Sequence, residues 1–410
     1  AECEPLLRTD RTIMTRFAPQ LIEAIDAIGR ERAFPHCVIA LKETYREEIA
    51  ALEAAIREAG SSVRLHTMKS FYPAGDEQSL VYEVTGRVVP PGALPSAVGC
   101  VVDNAATVLA VYDAMQGRPM THKFLTVTGA VRRPTVLRVP IGTSFARCIE
   151  LAGGAAEKEF HCVSGGPMMG RSADVTADVV TKTTSGILIL PAEGYHARHD
   201  RLTPDVMLRR AASACIQCQS CTELCPRNLL GHPIAPHKIM RKLAMDRDIS
   251  ALLNDPDIQH AQFCCECGIC ETVACPMGLQ PRTINRLVKA ELGKAQIRAA
   301  GGEGPFTPSP ERDVRKIPTA KAAARLGLGA YYHLEIRGLR EEETDRVDIP
   351  LRMHIGAPSL PVVKAGDRVA LGQLIAVCPP DALGAAIHAS IAGIVTAVGE
   401  RITIEREAQA

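Results

Sequence analysis

The sequence predicts a multidomain protein that joins α/β and α+β units, and three observations support this prediction. Strand and helix patterns alternate up to about residue 117, two cysteine-rich motifs lie between Cys215 and Pro276, and short strands punctuated by glycine follow Asp348. Alternating strands and helices predict a parallel sheet covered by helices. A chain of 410 residues, 46% of them hydrophobic, can bury several cores. We therefore expect roughly three or four domains.

The first part of the chain carries the alternation of strand and helix. Apolar residues recur at helical intervals in residues 17–29 and 44–59, and Gly60 is placed to end the second helix. Short apolar runs at residues 37–41 and 63–68 predict buried strands. Because parallel sheets bind ligands where the carboxyl ends of their strands meet, we expect loops of this part to form a binding site.

Three loops of this part carry polar side chains that suit such a site. They lie at residues 1–5, 72–77 and 102–107. Their candidate binding residues are Glu2, Cys3, Glu4, Tyr72, Gly75, Asp76, Glu77, Val102, Asp103, Asn104 and Thr107. Each loop also has a purely structural explanation, because acids at the start of a helix complement its dipole and Asp or Asn there caps the first turn.

The middle of the chain predicts a small α+β unit. Residues 124–131 and 135–139 read as two strands separated by a turn. A short helix is predicted at residues 143–152, where a pair of glycines ends it, and residues 186–190 form a further apolar strand.

Two cysteine motifs dominate the next part. Cys215, Cys218, Cys221 and Cys225 precede Pro226 in a C-x2-C-x2-C-x3-C-P pattern; Cys264, Cys267, Cys270 and Cys275 precede Pro276 in C-x2-C-x2-C-x4-C-P. Three thiolates at this interval can reach three corners of one [4Fe–4S] cube, and in two-cluster ferredoxins the cysteine before Pro ligates the other cluster. The predicted ligands are Cys215, Cys218, Cys221 and Cys275 for one cluster and Cys264, Cys267, Cys270 and Cys225 for the second.

Zinc is the alternative for these motifs. A zinc site usually takes four ligands from paired C-x2-C knuckles, so a third cysteine and a Cys-Pro are surplus. A disulfide framework would require an exported and usually short chain. Cys265 lies between two predicted ligands and is expected to be a bystander. Helices are predicted around the motifs at residues 198–214, 239–253 and 284–292, as in a helical dicluster ferredoxin.

The last part of the chain begins with a predicted linker, residues 301–340, whose first half is rich in Gly, Pro and charge. From residue 341 onward short strands predict an all-β unit, in which glycines allow the tight turns of a flattened sandwich. The turn at residues 379–382 contains no lysine, so neither biotin nor lipoate is predicted.

Charge and hydropathy exclude several classes of function. Lys and Arg number 47 against 46 Asp and Glu, so no net field favours nucleic acid. No apolar stretch reaches the roughly 18 residues of a transmembrane helix, and no secretory signal is found. Many free thiols without an export signal indicate a reducing compartment, which makes the cytoplasm the expected location. The chain starts at Ala1 rather than Met, so a preceding segment is expected.

The three polar loops, upstream of an iron–sulfur module, resemble the flavin-binding subunit of respiratory complex I, the 51-kDa type. In that family N-A-D-E-S-E-P, Y-x-x-G-E-E and V-N-N-V-E-T stretches line the site for FMN and NADH. The resemblance implies a Rossmann-like FMN-binding α/β domain at residues 1–120, in which the candidate residues hold FMN and the electron donor NADH. It places Glu77 and Glu4 at the nicotinamide or flavin as catalytic residues, and Asn104 and Thr107 at the isoalloxazine or phosphate.

The first loop matches its stretch through Ala1, Glu2, Cys3, Glu4 and Pro5. The family's glycine-rich loop, which cradles the FMN phosphate, is not in the sequence. Either the chain is truncated or its affinity for flavin is reduced.

The other parts resemble modules of related proteins. Residues 121–197 resemble the soluble-ligand-binding β-grasp module that follows the flavin domain, and residues 198–300 resemble a ferredoxin domain with two [4Fe–4S] clusters. The loop at residues 165–170 is either a structural turn or a contact with the flavin. Residues 341–410 resemble the barrel-sandwich hybrid domain found in the RnfC proteins of Rnf complexes.

This order of domains resembles the cobalamin reductases of propanediol-utilisation microcompartments. The resemblance implies NADH-dependent electron transfer that reduces cob(III)alamin toward cob(I)alamin, in or on a bacterial microcompartment. It implies a corrinoid adenosyltransferase or another electron acceptor protein as partner, with shell proteins as further candidates. Two alternatives stay open: an Rnf-like protein that passes electrons to ferredoxin or a membrane complex, and a relay or adaptor without flavin.

Overall fold

The computed structural model describes residues 2–302, 304–336 and 338–407. Ala1, which the resemblance places in the first polar loop, lies outside these residues. Four compact units follow one another along the chain, and a core described below joins the first three. Within the described residues, no helix combines the length and apolarity that crossing a bilayer requires.

The first unit is the predicted α/β unit. Its elements are α1 (Thr9–Arg16), α2 (Ala18–Glu31), β1 (Val38–Lys42), α3 (Arg46–Ala59), β2 (Arg64–Met68), β3 (Phe71–Tyr72), α4 (Glu77–Thr85) and α5 (Ala105–Met115). Strands β1 and β2 pair in parallel with Val38 opposite Arg64, which confirms the predicted strand–helix–strand order. Gly60 ends α3 in the left-handed region, φ 58°, where only glycine is unstrained.

The second unit is a mixed sheet with one helix across it. It contains β4 (His122–Gly129), β5 (Thr135–Pro140), α6 (Phe145–Leu151), β6 (Phe160–Ser164), β7 (Arg171–Ser172) and β8 (Gly186–Pro191). Strand β4 pairs antiparallel with β5 and parallel with β8, as apolar residues of both strands close a core over Phe145. Ser144 begins α6 because its side chain accepts a hydrogen bond from the backbone N–H of Arg147.

The third unit is helical and carries both cysteine motifs. Its helices are α7 (Tyr195–Asp200), α8 (Pro204–Ala214), α9 (Ser220–Glu223), α10 (Pro226–Leu229), α11 (Pro236–Met245), α12 (Pro256–Gln259) and α13 (Pro281–Lys294). The single helix predicted at residues 198–214 is wrong, because Thr203 caps a new helix that starts at Pro204. The helix predicted at residues 239–253 ends at Met245, where Asp246 and Asp248 instead bind nearby backbone N–H groups.

The predicted linker at residues 301–340 is wrong as a structureless connection. It holds β9 (Ile317–Pro318), α14 (Thr319–Arg325), α15 (Gly329–Tyr332) and β10 (Leu339–Glu341). Strand β9 pairs with β3, and β10 adds an edge strand to the sheet of the second unit. Buried Ile317 and Leu326 share one core with Tyr72, Met168 and Cys267, so this segment fastens the first three units together.

The fourth unit is the predicted all-β unit. Its strands are β11 (Arg346–Pro350), β12 (Leu360–Pro361), β13 (Arg368–Val369), β14 (Leu374–Val377), β15 (Ile387–His388), β16 (Gly393–Val398) and β17 (Arg401–Glu405). They form two small sheets, ordered β11-β17-β16-β13 and β12-β14-β15. Aliphatic side chains such as Val347, Ile375 and Ile402 fill the space between the sheets.

Candidate functional site

The first group of thiols lies at the end of α8. Cys215, Cys218 and Cys221 of the first motif line one small cavity together with Cys275 of the second. Burial, and then the thiols of Cys275, Cys215 and Cys218, raise the pKa of Cys221 to about 12. Cys218 is exposed. The structure therefore brings the cysteine before Pro276 to the opposite motif and places this group at the surface.

The second group of thiols is buried. Cys225 and Cys264 pack in one small core beside Phe263. Burial, and then Glu271, Cys264 and Cys225, raise the pKa of Cys270. Cys225 of the first motif is thus grouped with the second motif, and the two groups are neighbours because Cys221 also acts on Cys270.

The loops of the two motifs share one backbone conformation. Gln217 and Gln219 in the first motif, and Glu266 and Gly268 in the second, all have φ between 56° and 81°. These are the equivalent positions after each leading cysteine. Three of the four are not glycine, and left-handed backbone at such residues is uncommon. The same unusual turn in both motifs indicates that both are shaped for the same kind of ligand.

The thiol groups were tested for their fit to iron–sulfur clusters. Each group offers four sulfur donors, the ligand set of a [4Fe–4S] cluster. Backbone N–H groups of Glu266 and Leu279 donate to the sulfurs of Cys264 and Cys275, both at 3.4 Å, which stabilises thiolates. In the part of the chain that the structure describes, no three Cys, His, Asp or Glu side chains converge closely enough to hold a single metal ion. The residues present fit the clusters.

The first two polar loops meet beside the second thiol group. The backbone of Gly75 hydrogen-bonds the thiol of Cys3, whose pKa burial and then Glu4 raise to about 12. The Tyr72 hydroxyl donates to the backbone carbonyl of Cys267 at 2.7 Å. The two loops therefore lie in direct contact with the backbone of a predicted cluster ligand.

The third polar loop lies further away. Val102, Asp103 and Asn104 line a cavity of about 400 Å³ along the face of β1. The Asn104 amide caps α5 through the N–H of Ala106 and donates to Asp10 at 2.7 Å. Asp76 likewise caps α4 through the N–H of Ser79. The structural explanation of these two residues is confirmed, and Asp10 connects the third loop to the first through its contact with Glu2.

The predicted catalytic residues differ in their surroundings. Glu77 is the first residue of α4 and is exposed, as is Thr107 on α5. Glu4 is buried, and its two oxygens accept hydrogen bonds from the N–H groups of Met168 and Met169 at 2.8 and 2.9 Å. Burial raises the pKa of Glu4 to about 7, against these two hydrogen bonds, which lower it.

The loop at residues 165–170 connects three units. Gly166 leaves room for the Glu4 carboxylate, since a built Cβ there would lie 2.3 Å from it. Arg282 of the third unit donates to the carbonyl of Met168 at 2.5 Å, and His196 contacts the carbonyl of Pro167 at 2.7 Å. The loop is therefore a contact between the predicted flavin loops and the thiol groups rather than a free turn.

Two charged residues of this region are absent from the predicted site. Lys42, at the carboxyl end of β1, is only 2% exposed, and its ammonium donates to Thr319 at 3.2 Å. Burial lowers its pKa, which the nearby Cys3 and Glu2 partly offset. Arg227 forms an ion pair with Asp76 at 2.7 Å. A lysine that ends the apolar run of β1 was the one available signal.

The same region was tested for its fit to a flavin. Glu2 is buried and one of its carboxyl oxygens has no hydrogen-bond partner among the described residues. With Lys42 it supplies an acceptor and a donor at the carboxyl end of a parallel strand, the place where such sheets bind cofactors. These side chains fit the polar edge of FMN.

Glu2 is expected to make stability depend on pH. Burial, and then Asp10, raise its pKa to about 8 against an ordinary value of 4.5, while Arg8 lowers it. Because the folded protein holds this proton more tightly, the stabilising effect is complete below pH 4.5 and is lost as pH rises through 8. A tenfold difference in proton affinity corresponds to about 1.4 kcal/mol.

The test compares Glu2→Gln, which imitates the protonated side chain, with the wild type in thermal unfolding. The two melting temperatures should agree near pH 4.5, and the variant should become the more stable of the two by about pH 9. A constant difference across this range would contradict the prediction.

Four family models match the chain, each over one of its units. The Nuo51 FMN-binding domain matches residues 1–113 and the SLBB domain residues 124–172. The 4Fe-4S dicluster domain matches residues 214–280 and the RnfC barrel sandwich hybrid domain residues 335–410. The predicted fold class is confirmed: FMN-binding, dicluster and barrel-sandwich domains are all present.

Curated proteins similar to the chain fall into two groups. The cobalamin reductase PduS of Salmonella typhimurium is 41% identical over 409 residues, which cover 99% of this chain and 88% of that protein. The PduS protein of Citrobacter freundii is also 41% identical, with the same coverage. The second group includes the C-type component of the Na(+)-translocating ferredoxin:NAD(+) oxidoreductase complex of Acetobacterium woodii. It is 35% identical over 235 residues, 56% of this chain and 49% of that protein.

Proposed function

Because the chain belongs to the family of the cobalamin reductase PduS, we propose that it is an NADH-dependent flavin and iron–sulfur oxidoreductase that reduces cob(III)alamin toward cob(I)alamin. The observation that supports this proposal is the contact between the predicted flavin loops and the second thiol group. Tyr72 of the second loop donates to the carbonyl of Cys267 at 2.7 Å.

We propose that Cys264, Cys267, Cys270 and Cys225 hold an inner cluster and that Cys215, Cys218, Cys221 and Cys275 hold an outer one. The burial of Cys225, Cys267 and Cys270 and the exposure of Cys218 support this order. Bound FMN would take an electron pair from NADH and release it singly to the clusters, which carry one electron each. Electrons would leave at the exposed Cys218 side.

The chain's own residues would hold and orient the cofactors. We propose that Glu77, exposed at the first turn of α4, contacts the nicotinamide side. Glu4 has both oxygens engaged by the loop at residues 165–170, so we propose that it fixes that loop against the first unit while reaching the flavin site. Asn104, Thr107 and the other predicted residues of the polar loops stay proposed contacts of FMN.

The test is an anaerobic NADH titration of the protein reconstituted with FMN, iron and sulfide, followed by visible absorbance and then by hydroxocobalamin. NADH should bleach the flavin and cluster bands, and cobalamin should restore them. In Glu77→Gln, bleaching by NADH should slow at least about tenfold, the effect of losing one hydrogen bond to a charged group. Bleaching of the variant by dithionite should stay unchanged. Wild-type clusters that dithionite bleaches but NADH does not would overturn the proposal in favour of a relay without flavin entry.

An Rnf-like electron-transfer role is the second candidate. The similarity to the Acetobacterium woodii protein and the RnfC domain at residues 335–410 favour it. If NADH-reduced protein passes electrons to ferredoxin or flavodoxin but leaves cobalamin oxidised, this candidate replaces the first. A corrinoid adenosyltransferase partner, shell proteins and a place in or on a microcompartment follow from the resemblance in domain order and stay proposals.

A further inference from the structure

Arg227 is buried between the second polar loop and the inner thiol group. It lies two residues after Cys225 and is 7% exposed. Its Nη2 donates to Oδ1 of Asp76 at 2.7 Å. Its other terminal nitrogen, Nη1, is buried and has no hydrogen-bond partner among the described residues. A buried donor without a partner costs about 1–3 kcal/mol, so the complete protein is expected to supply an acceptor.

The neighbours of Arg227 indicate which acceptor. Burial disfavours its charge, but Asp76 and then the thiols of Cys265, Cys225 and Cys267 raise the pKa of Arg227. Two of these thiols, Cys225 and Cys267, are proposed ligands of the inner cluster. The guanidinium therefore stands beside the sulfur atoms of that cluster, and sulfur accepts hydrogen bonds from such donors.

We propose that Arg227 is a positioning residue that raises the reduction potential of the inner cluster by donating its free N–H to a cluster sulfur. The inference rests on the proposed cluster-binding function. The step concerned is the one-electron reduction of that cluster, and two such transfers balance the oxidation of one NADH to NAD⁺ and a proton. Added negative charge on the cluster is favoured by the adjacent cation, with little screening because the pair is buried.

Asp76 sets the opposite side of this balance. Its carboxylate is held in place by the N–H of Ser79 at the start of α4 and neutralises part of the Arg227 charge. Asp76 also belongs to the second predicted flavin loop. The ion pair thus connects that loop with the inner cluster, and removal of its two members should shift the potential in opposite directions.

The experiment is a potentiometric titration, followed by the electron paramagnetic resonance of the reduced clusters, on wild type, Arg227→Gln and Asp76→Asn. At a fixed potential the ratio of reduced to oxidised inner cluster should fall about tenfold in Arg227→Gln, which corresponds to ~59 mV for one electron. The ratio should rise in Asp76→Asn. The outer cluster should titrate unchanged in both variants and serves as the internal standard; a Cys218→Ala variant identifies its signal.

Arg312→Gln is the matched control. Arg312 pairs with Glu83, and its side chain is 8% exposed, the same as that of Arg227. This substitution should leave both potentials unchanged. An inner-cluster potential that does not move in Arg227→Gln, or that moves equally in Arg312→Gln, overturns the inference while the proposed function stands.

Two further outcomes are separable. If Arg227→Gln does not retain the inner cluster, Asp76→Asn decides: a rise in the reduced fraction supports the inference, and no change or a fall overturns it. If reconstituted wild type holds no cluster, the proposed function fails first and the inference fails with it.

Discussion

We expect the Cys275→Ala variant to lose the outer cluster and to keep the inner one, although Cys275 belongs to the second motif by sequence. The reason is that Cys275 lines a common cavity with Cys215, Cys218 and Cys221. A [4Fe–4S] cluster needs four ligands, and three thiolates hold it weakly. Iron should fall from roughly eight to roughly four atoms per chain, with sulfide falling in parallel.

The measurement is iron and sulfide analysis combined with electron paramagnetic resonance of the reduced protein. The spectrum of Cys275→Ala should match that of Cys218→Ala, and the spectrum of Cys225→Ala should match that of Cys264→Ala. Cys265→Ala is the adjacent control and should retain both clusters, because Cys265 is predicted to be a bystander. Spectra of Cys275→Ala that match those of Cys264→Ala would show that each motif holds its own cluster.

The exchange of cysteines between motifs could be predicted from the sequence because spacing constrains it. Three thiols of a tight loop reach one side of a cube, so the fourth must come from elsewhere. The β1–α3–β2 unit was predictable for a similar reason: the apolar period and the cap at Gly60 are local signals. The grouping of Cys275 with Cys221 follows from such local spacing without any knowledge of the fold.

Other parts of the site depend on contacts that leave no local signal. Residues 301–340 were predicted to be a linker from their Gly, Pro and charge content, yet Ile317 is buried because β9 pairs with β3. Arg227 follows a Cys-Pro, where a charged residue is usually solvated, and only the fold brings Asp76 to it. Lys42 is buried for the same reason, since Thr319 of the supposed linker covers its ammonium.

Disruption of the Glu271–Arg282 pair is expected to destabilise the junction between the loop at residues 165–170 and the third unit. The carboxylate of Glu271 is completely buried, and Nη2 of Arg282 lies 2.7 Å from it, at the distance of an ion pair. Arg282 also holds the carbonyl of Met168. Glu271→Ala would leave the guanidinium buried and uncompensated, which costs about 3–5 kcal/mol.

Native-state hydrogen exchange at the amides of α13, which contains Arg282, measures this loss as a lower free energy of local opening. A double-mutant cycle with Arg282→Ala separates the pair from its surroundings, because the double variant leaves no unpaired charge and should be less destabilised than the sum of the single variants. The exposed pair Arg138–Glu341 is the control, and its coupling should stay below about 1 kcal/mol. Additive effects of Glu271→Ala and Arg282→Ala would mean that the two side chains stabilise the junction independently. The loop at residues 165–170 would then be held by Glu4 and His196 rather than by the buried pair.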